Sequence, residues 1–164
     1  LIDLGYDDVL DDFVLTENIV TVTALEIFNQ GIENITGLKD FTALTFLNVA
    51  DNPISEIDVS KNTSLEILLL GATDVGELDI SQNIVLKELD CNGTQIKSLN
   101  VTNNPELERL EIADSGINTI DVSSNPTLEK LNIFNTNITN LDLRLNDCEF
   151  YVVDCAFNVG SRRL

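Results

Sequence analysis

Histidine, methionine and tryptophan are absent from the 164-residue chain, and basic residues are scarce: nine lysines and arginines stand against 28 acidic residues. Without histidine the chain builds no Ser-His-Asp or Cys-His engine and no histidine-ligated metal site. Much of hydrolytic chemistry goes with them, and an enzyme is not expected. A formal net charge of −19 leaves no basic surface to neutralise phosphates, which disfavours nucleic acid and anionic membrane surfaces as partners. No apolar run approaches the roughly 18 residues that span a bilayer, and no basic segment with a cleavage site opens the chain. It reads as a mature or excised soluble piece without membrane insertion. The three cysteines, Cys91, Cys148 and Cys155, are too few and too unevenly placed for a disulfide framework. The length fits one domain with a sizeable core.

What the chain does have is a repeat. Leu44, Leu65, Leu86, Leu107 and Leu128 are spaced by 21 residues without a slip, and Leu47, Leu68, Leu89, Leu110 and Leu131 follow three positions later. Counting from the first leucine, the sixth position is Val49, Leu70, Cys91, Ile112 and Ile133, and the eleventh is Ile54, Val75, Ile96, Ile117 and Ile138. The fourteenth (Ile57, Leu78, Leu99, Ile120, Leu141) and sixteenth (Val59, Ile80, Val101, Val122, Leu143) are apolar throughout. Such columns predict a stacked solenoid, in which every coil hides the same side chains against its neighbours. The short alternation at the start of each copy predicts one parallel strand per coil, with Leu68 and Leu70 inward and Ile67 and Leu69 outward. A second alternating stretch, such as Ile57-Asp58-Val59, is expected as a short strand or extended segment on the opposite side. The ninth position (Asn52, Thr73, Thr94, Ser115, Thr136) and the nineteenth (Asn62, Asn83, Asn104, Asn125, Asn146) are small and polar at turning points. They are expected to point inward and bond backbone groups that no ladder satisfies.

The motif L-x-x-L-x-[VIC]-x-x-[NTS]-x-[IV] resembles the leucine-rich repeat, and with its caps the resemblance covers nearly the whole chain. The copies joined as Leu-Asp-Val-Ser-x-Asn resemble those of secreted or surface-exposed bacterial leucine-rich repeat proteins, especially of Bacteroidetes. Thr or Ser at 73, 94, 115 and 136 departs from the commoner Asn, which argues against a continuous asparagine ladder there.

The expected fold class is an α/β, mostly β, right-handed solenoid of about seven coils with a parallel sheet on the concave side. Residues 1–21 are read as an acidic N-terminal cap. Residues 22–146 are the repeats (22–43, 44–64, 65–85, 86–106, 107–127 and 128–146), and residues 147–164 are a C-terminal cap and tail. The first coil is one residue longer and more like the internalin repeat. Val22, Leu25, Ile27, Ile32 and Ile35 fill its inward slots, and Thr36 is expected to cap a helical turn that packs Leu38 and Phe41 inward. Leu1-Ile2-Asp3-Leu4-Gly5 reads as a helix end. Cys148 and Cys155, seven apart, are either a disulfide pinning the C-terminal cap or two reduced thiols. Cys91 is expected as a small buried hydrophobe.

The resemblance implies partner binding through exposed residues of the concave strand face. There the third position is Ala24, Phe46, Ile67, Glu88, Arg109 and Lys130. The fifth is Glu26, Asn48, Leu69, Asp90, Glu111 and Asn132, and the seventh is Phe28, Ala50, Gly71, Asn92, Ala113 and Phe134. Phe46, Ile67 and Leu69, flanked by Phe28, are the expected apolar anchors, and Asn48, Asp90 and Glu111 the expected polar determinants of a partner-binding patch. The fifteenth column (Asp58, Asp79, Asn100, Asp121, Asp142) stacks carboxylates, which are either exposed and bonded to donors around Ser60, Ser81 and Ser123 or share cations. The aspartates at 7, 8, 11 and 12 lack the order of a calcium loop. The Asn-x-Thr/Ser triplets at 34, 62, 92, 100 and 137 are read as incidental, with Asn62 pointing inward.

The function expected is therefore a non-enzymatic binding module of a secreted or cell-surface bacterial protein, monomeric, recognising a protein or glycan, with no catalytic residues, cofactor or metal. The alternative is a structural spacer or self-assembling surface repeat.

Overall fold

The computed structural model describes residues 15–143. Six three-residue strands, β1 (Ala24–Glu26), β2 (Phe46–Asn48), β3 (Ile67–Leu69), β4 (Glu88–Asp90), β5 (Arg109–Glu111) and β6 (Lys130–Asn132), form one parallel sheet in chain order. Each strand is short because only its central residue, Leu25, Leu47, Leu68, Leu89, Leu110 or Leu131, faces the core before the chain turns away. The register is constant: Leu47 pairs with Leu68, Leu68 with Leu89 and Leu89 with Leu110. Leu25 pairs with Leu47 across a 22-residue coil, so the extra residue of the first copy is absorbed between strands.

Inside the ladder, the first, fourth, sixth and eleventh columns from Leu44 to Ile138 are sealed from solvent. Burying each such aliphatic side chain contributes about 1.5–3 kcal/mol. Cys91 occupies the sixth column with no exposure, and burial pushes its thiol well above the usual range, so it is an inert filler. The fourteenth column is less well covered: Ile57, Leu78 and Leu141 are only partly buried. The stretch around Ile57-Asp58-Val59 and its counterparts forms no strand, so of the two forms expected there the short strand is not made.

Polar side chains hold the turns. Asn83 donates from Nδ2 to the carbonyls of Val59 (3.1 Å) and Asn62 (2.9 Å), and Asn104 does the same to Ile80 and Asn83 one coil later. Asn62 reaches Leu38 and Phe41, and Asn125 reaches Val101 and Asn104. From Asn62 to Asn125 the nineteenth column is thus a continuous ladder of buried amides linking coils, and Asn146 lies outside the described residues. The ninth column behaves differently. Asn52 bridges two coils, donating to Ile27 and Val49 and accepting from the N–H groups of Gln30 and Ile32. Thr73, Thr94, Ser115 and Thr136 each donate to the carbonyl three residues back in their own coil. Where these short side chains stand, the backbone makes the inter-coil bond itself: Gln95 N donates to Val75 O, Gly116 N to Ile96 O and Asn137 N to Ile117 O. The asparagine ladder is interrupted here, as Thr and Ser at these positions imply.

One column went unread in the sequence. Asn29, Asp51, Ala72, Gly93, Asp114 and Asn135, one residue after the seventh position, all have left-handed backbone, with φ from 50° to 67°. This residue turns the chain out of each strand.

In the first coil, a 3-10 turn spans Leu38–Asp40, with Leu38 and Phe41 buried as expected. Its cap is a correction. Gly37 at φ 97°, not Thr36, precedes the turn, and no side chain caps it. The Thr36 hydroxyl instead donates to Asn34 Oδ1, which also accepts from Thr36 N. A single helical turn, α1 (Thr16–Ile19), places Ile19 over the first coil's core; the sequence reading had no element there. The acidic segment at 7–12, the helix end at 1–5 and the pair Cys148 and Cys155 lie outside the described residues. No helix among the described residues is long and apolar enough to cross a membrane.

Candidate functional site

The outward strand face brings the expected patch together. Phe46 on β2 pairs with Ile67 on β3, Asn48 with Leu69, Leu69 with Asp90 on β4, and Asp90 with Glu111 on β5. Neighbouring strands sit about 4.8 Å apart, so these side chains touch across the ladder. Phe46, Ile67 and Leu69 are half-buried, where the sequence reading expected exposed apolar anchors. Each shields its neighbours, because the strands present side chains of similar length at van der Waals spacing. Phe28, by contrast, is 48% exposed and Phe134, in the same column at the other end, 39%. Phe134 was not among the residues expected to bind, although it occupies the column that includes Phe28.

Between these two aromatics the column narrows to Ala50, Gly71, Asn92 and Ala113. Gly71 and Ala113 are buried. A Cβ on Gly71 would meet Asp90 Oδ1 at 3.2 Å, so the Asp90 carboxylate leans over the bare glycine.

The polar half of the face is a connected network. Arg109 Nε donates to Glu111 Oε1 at 2.9 Å and lies 3.5 Å from Glu88 Oε1. Asn132 Nδ2 donates to Glu111 Oε2 at 2.7 Å. Glu111, with 13% of its side chain exposed, therefore has a partner on each oxygen. Asp90 accepts at Oδ1 from Asn92 N (2.9 Å), and Asn92 Oδ1 accepts from Ala113 N (2.6 Å). Burial, and then the charge of Glu111, hold the Asp90 carboxyl above its usual range. Asn48 turns back on its own strand end, accepting from Ala50 N.

On the opposite side of the coils the fifteenth column is exposed and bonded locally. Asp58, Asp79 and Asp121 accept from the N–H groups of Ser60, Ser81 and Ser123, each at 2.9 Å, and Asn100 from Thr102. Bonds from these serines lower the three carboxyls below their ordinary values. The local donors considered for this column are in place. Shallow depressions of about 400 and 450 Å³ beside Asp58 and Asp79 have no enclosed floor. Among the described residues no three acidic or cysteine side chains gather as a metal site.

No family model matches the chain, and no curated protein does. Solved structures do. The functional domain of InlJ from Listeria monocytogenes, which includes a cysteine ladder, is 25% identical with a TM-score of 0.58, covering 84% of this chain and 40% of that one. An internalin, InlF, from Listeria monocytogenes is 21% identical at TM-score 0.70, covering 86% and 46%. The leucine-rich repeat ectodomain of a plant membrane receptor kinase from Arabidopsis thaliana, solved in complex with CASPARIAN STRIP INTEGRITY FACTOR 2, is 15% identical at TM-score 0.69, covering 81% and 18%. The chain spans less than half the length of each of these structures. With the 21-residue parallel ladder they establish a leucine-rich repeat solenoid.

Proposed function

We propose that this leucine-rich repeat solenoid is a non-enzymatic binding module of a secreted or cell-surface bacterial protein, and that it recognises a protein or glycan through its outward strand face. The observation that carries the reading is the face itself. Phe46, Ile67 and Leu69 are fixed in register beside Asp90 and Glu111 on a backbone hydrogen-bonded to the coil on either side. Side chains held this way lose little conformational entropy on binding, which favours affinity from a modest area. Apolar surface rimmed by satisfied polar groups is the composition of a recognition patch. The internalin likeness supports the bacterial surface setting, and the plant ectodomain in complex with its partner supports binding by this fold. Phe46, Ile67 and Leu69 supply apolar area, with Phe28 at one end, while Asn48, Asp90 and Glu111 set polar specificity. A shallow face without an enclosed cavity gives no place to sequester a reaction from water, which is why catalysis is not part of the proposal.

Protein and glycan arrays probed with the wild-type chain and with Ile67→Asp test it. Binding lost in Ile67→Asp is the expected result, with the chain still folded by circular dichroism and its melting temperature lowered, since Ile67 is half-buried and the new carboxylate stands beside Glu88. Retained affinity removes the patch from the site. Absence of any ligand, combined with concentration-dependent association in light scattering, favours the spacer or self-assembling repeat, for which a chain of net charge −19 is poorly suited at low salt.

A further inference from the structure

We propose that Asn92 and Gly93 form a latent self-modification site, in which Ala113 of the next coil holds the two reacting groups apart until the coils carrying β4 and β5 separate. Asn92 then converts to aspartate or isoaspartate and marks the chain permanently.

Asn92-Gly93 is the one Asn-Gly step in the sequence; most other asparagines precede Ile, Val, Thr or Pro. The chemistry needs only these two residues and water. The Gly93 nitrogen, freed of its proton, attacks Asn92 Cγ and forms a C–N bond. The Cγ–Nδ2 bond breaks, and Nδ2 leaves as ammonia with that proton. Water then opens the five-membered imide. Cleavage at Cγ gives aspartate, and cleavage at the main-chain carbonyl gives isoaspartate, whose backbone runs through the side chain and is one carbon longer. A branched side chain after the asparagine shields the attacking nitrogen, whereas Gly93 has no Cβ. Glycine suits the fold here, because residue 93 takes the left-handed φ of 67° that turns the chain out of its strand.

In the folded stack both reacting groups are tied to one residue. Gly93 N donates to Ala113 O at 2.8 Å, and Asn92 Oδ1 accepts from Ala113 N at 2.6 Å. On the other side the carbonyl of the same peptide accepts from Ala72 N at 2.8 Å. Ring closure must take the Gly93 N–H from Ala113 O and swing the Asn92 amide off Ala113 N. That breaks the bonds on both backbone groups of a buried residue. Gly93 is exposed and Asn92 half-buried, so water reaches the site and the inter-coil contact is what blocks the reaction. A solenoid opens locally, one coil from the next. Once formed, isoaspartate carries Gly93 N out of register with Ala113 O. Aspartate adds a charge beside Asp90, whose Oδ1 accepts from the N–H of residue 92. Either product loosens the contact whose opening produced it.

The test follows Asn92 in the full chain at pH 8 by peptide mapping and mass spectrometry, natively and in denaturing urea, with heavy-oxygen water to report the hydrolysis. Conversion in the native chain is expected to be at least about tenfold slower than in urea, the protection given by a closed, hydrogen-bonded contact. Leu110→Ala leaves a cavity in the core of the β5 coil, away from the reacting atoms. It is expected to speed native conversion about tenfold and to leave the rate in urea unchanged. If Leu110→Ala does not fold, Ile112→Val supplies a smaller cavity and the same comparison. Gly93→Ala is expected to slow conversion in urea by crowding the attacking nitrogen. The converted chain, separated by anion exchange, is expected to melt below the wild type. Equal rates in the native chain and in urea, native conversion that ignores the core variants, or no conversion of Asn92 in urea overturns the inference. So does conversion of Gly93→Ala at the wild-type rate, or a converted chain that melts with the wild type.

Discussion

Ala72 sits at φ 55° in a column otherwise filled by Asn, Asp and Gly. For a residue with a Cβ this conformation costs about 1–2 kcal/mol, and part of that is recovered by glycine despite its looser unfolded chain. Ala72→Gly is expected to stabilise the protein by about 0.5–1 kcal/mol, and Gly93→Ala, at φ 67° with only ordinary contacts around its new Cβ, to destabilise it by a similar amount. Thermal melts of the two variants check both signs. The column escaped the sequence reading because its residue types vary and one of them, alanine, gives no turn signal.

Titration separates Asp90 from the exposed aspartates. Its folded pKa is raised, so its ionised form disfavours the fold at neutral pH, and that burden disappears as pH falls towards the ordinary carboxylate value of about 3.9. Asp90→Asn is expected to melt higher than wild type at pH 7 and level with it at pH 3. Asp58, Asp79 and Asp121 have lowered values, so the stability they contribute is present above about pH 4 and is lost on acidification. Melting curves across this range for Asp79→Asn show the opposite trend from Asp90→Asn if the two environments differ as described.

At the scale of one coil, the two polar columns do unequal work. Asn83 joins two carbonyls of the preceding coil inside the core. Asn83→Ala removes both bonds, although Val59 O still accepts from Asn62 N and Asn62 O from Leu65 N, so at about 0.5–1.5 kcal/mol for each bond lost the expected cost is roughly 1–3 kcal/mol. Thr94 bonds one carbonyl of its own coil, so Thr94→Val is expected to cost about 1 kcal/mol. Urea unfolding of the two variants separates them. The strands, their register and the buried asparagines were legible because 21-residue spacing forces the same chemistry into the same place in each coil. The cap of the 3-10 turn was not: Thr36 satisfies the general preference for a hydroxyl at a helix start, but it is drawn to Asn34, and Gly37 supplies the φ of 97° that the chain needs there. Exposure of Phe46, Ile67 and Leu69 was overestimated for a related reason, since a strand read alone does not show how far its neighbours cover it.

For the whole molecule, stability is close to a sum over coils and the contacts between adjacent ones. Removing residues 86–106 joins Val85 to Leu107 and restores the period, so this variant is expected to stay folded by circular dichroism with a lower melting temperature. Removing residues 87–106 leaves a 22-residue coil like the first, whose extra residue lies between the strands, so this variant is expected to stay folded as well but to melt below the variant that lacks 86–106. The outward strand face was legible at this scale as three columns. The roles within it were not, because Asp90 and Glu111 look alike in sequence and differ only in which of them Arg109 and Asn132 reach.

The inter-coil hydrogen bonds run along the axis of the stack, so a force pulling the two ends apart loads them one row at a time. Each row that gives way frees 21 residues, about 70 Å of slack once the ~4.8 Å step is subtracted from chain extended at ~3.5 Å per residue. Stretched between anchor points, the protein is built to yield in equal instalments, as an extensible tether whose remaining turns keep their shape while one is drawn out.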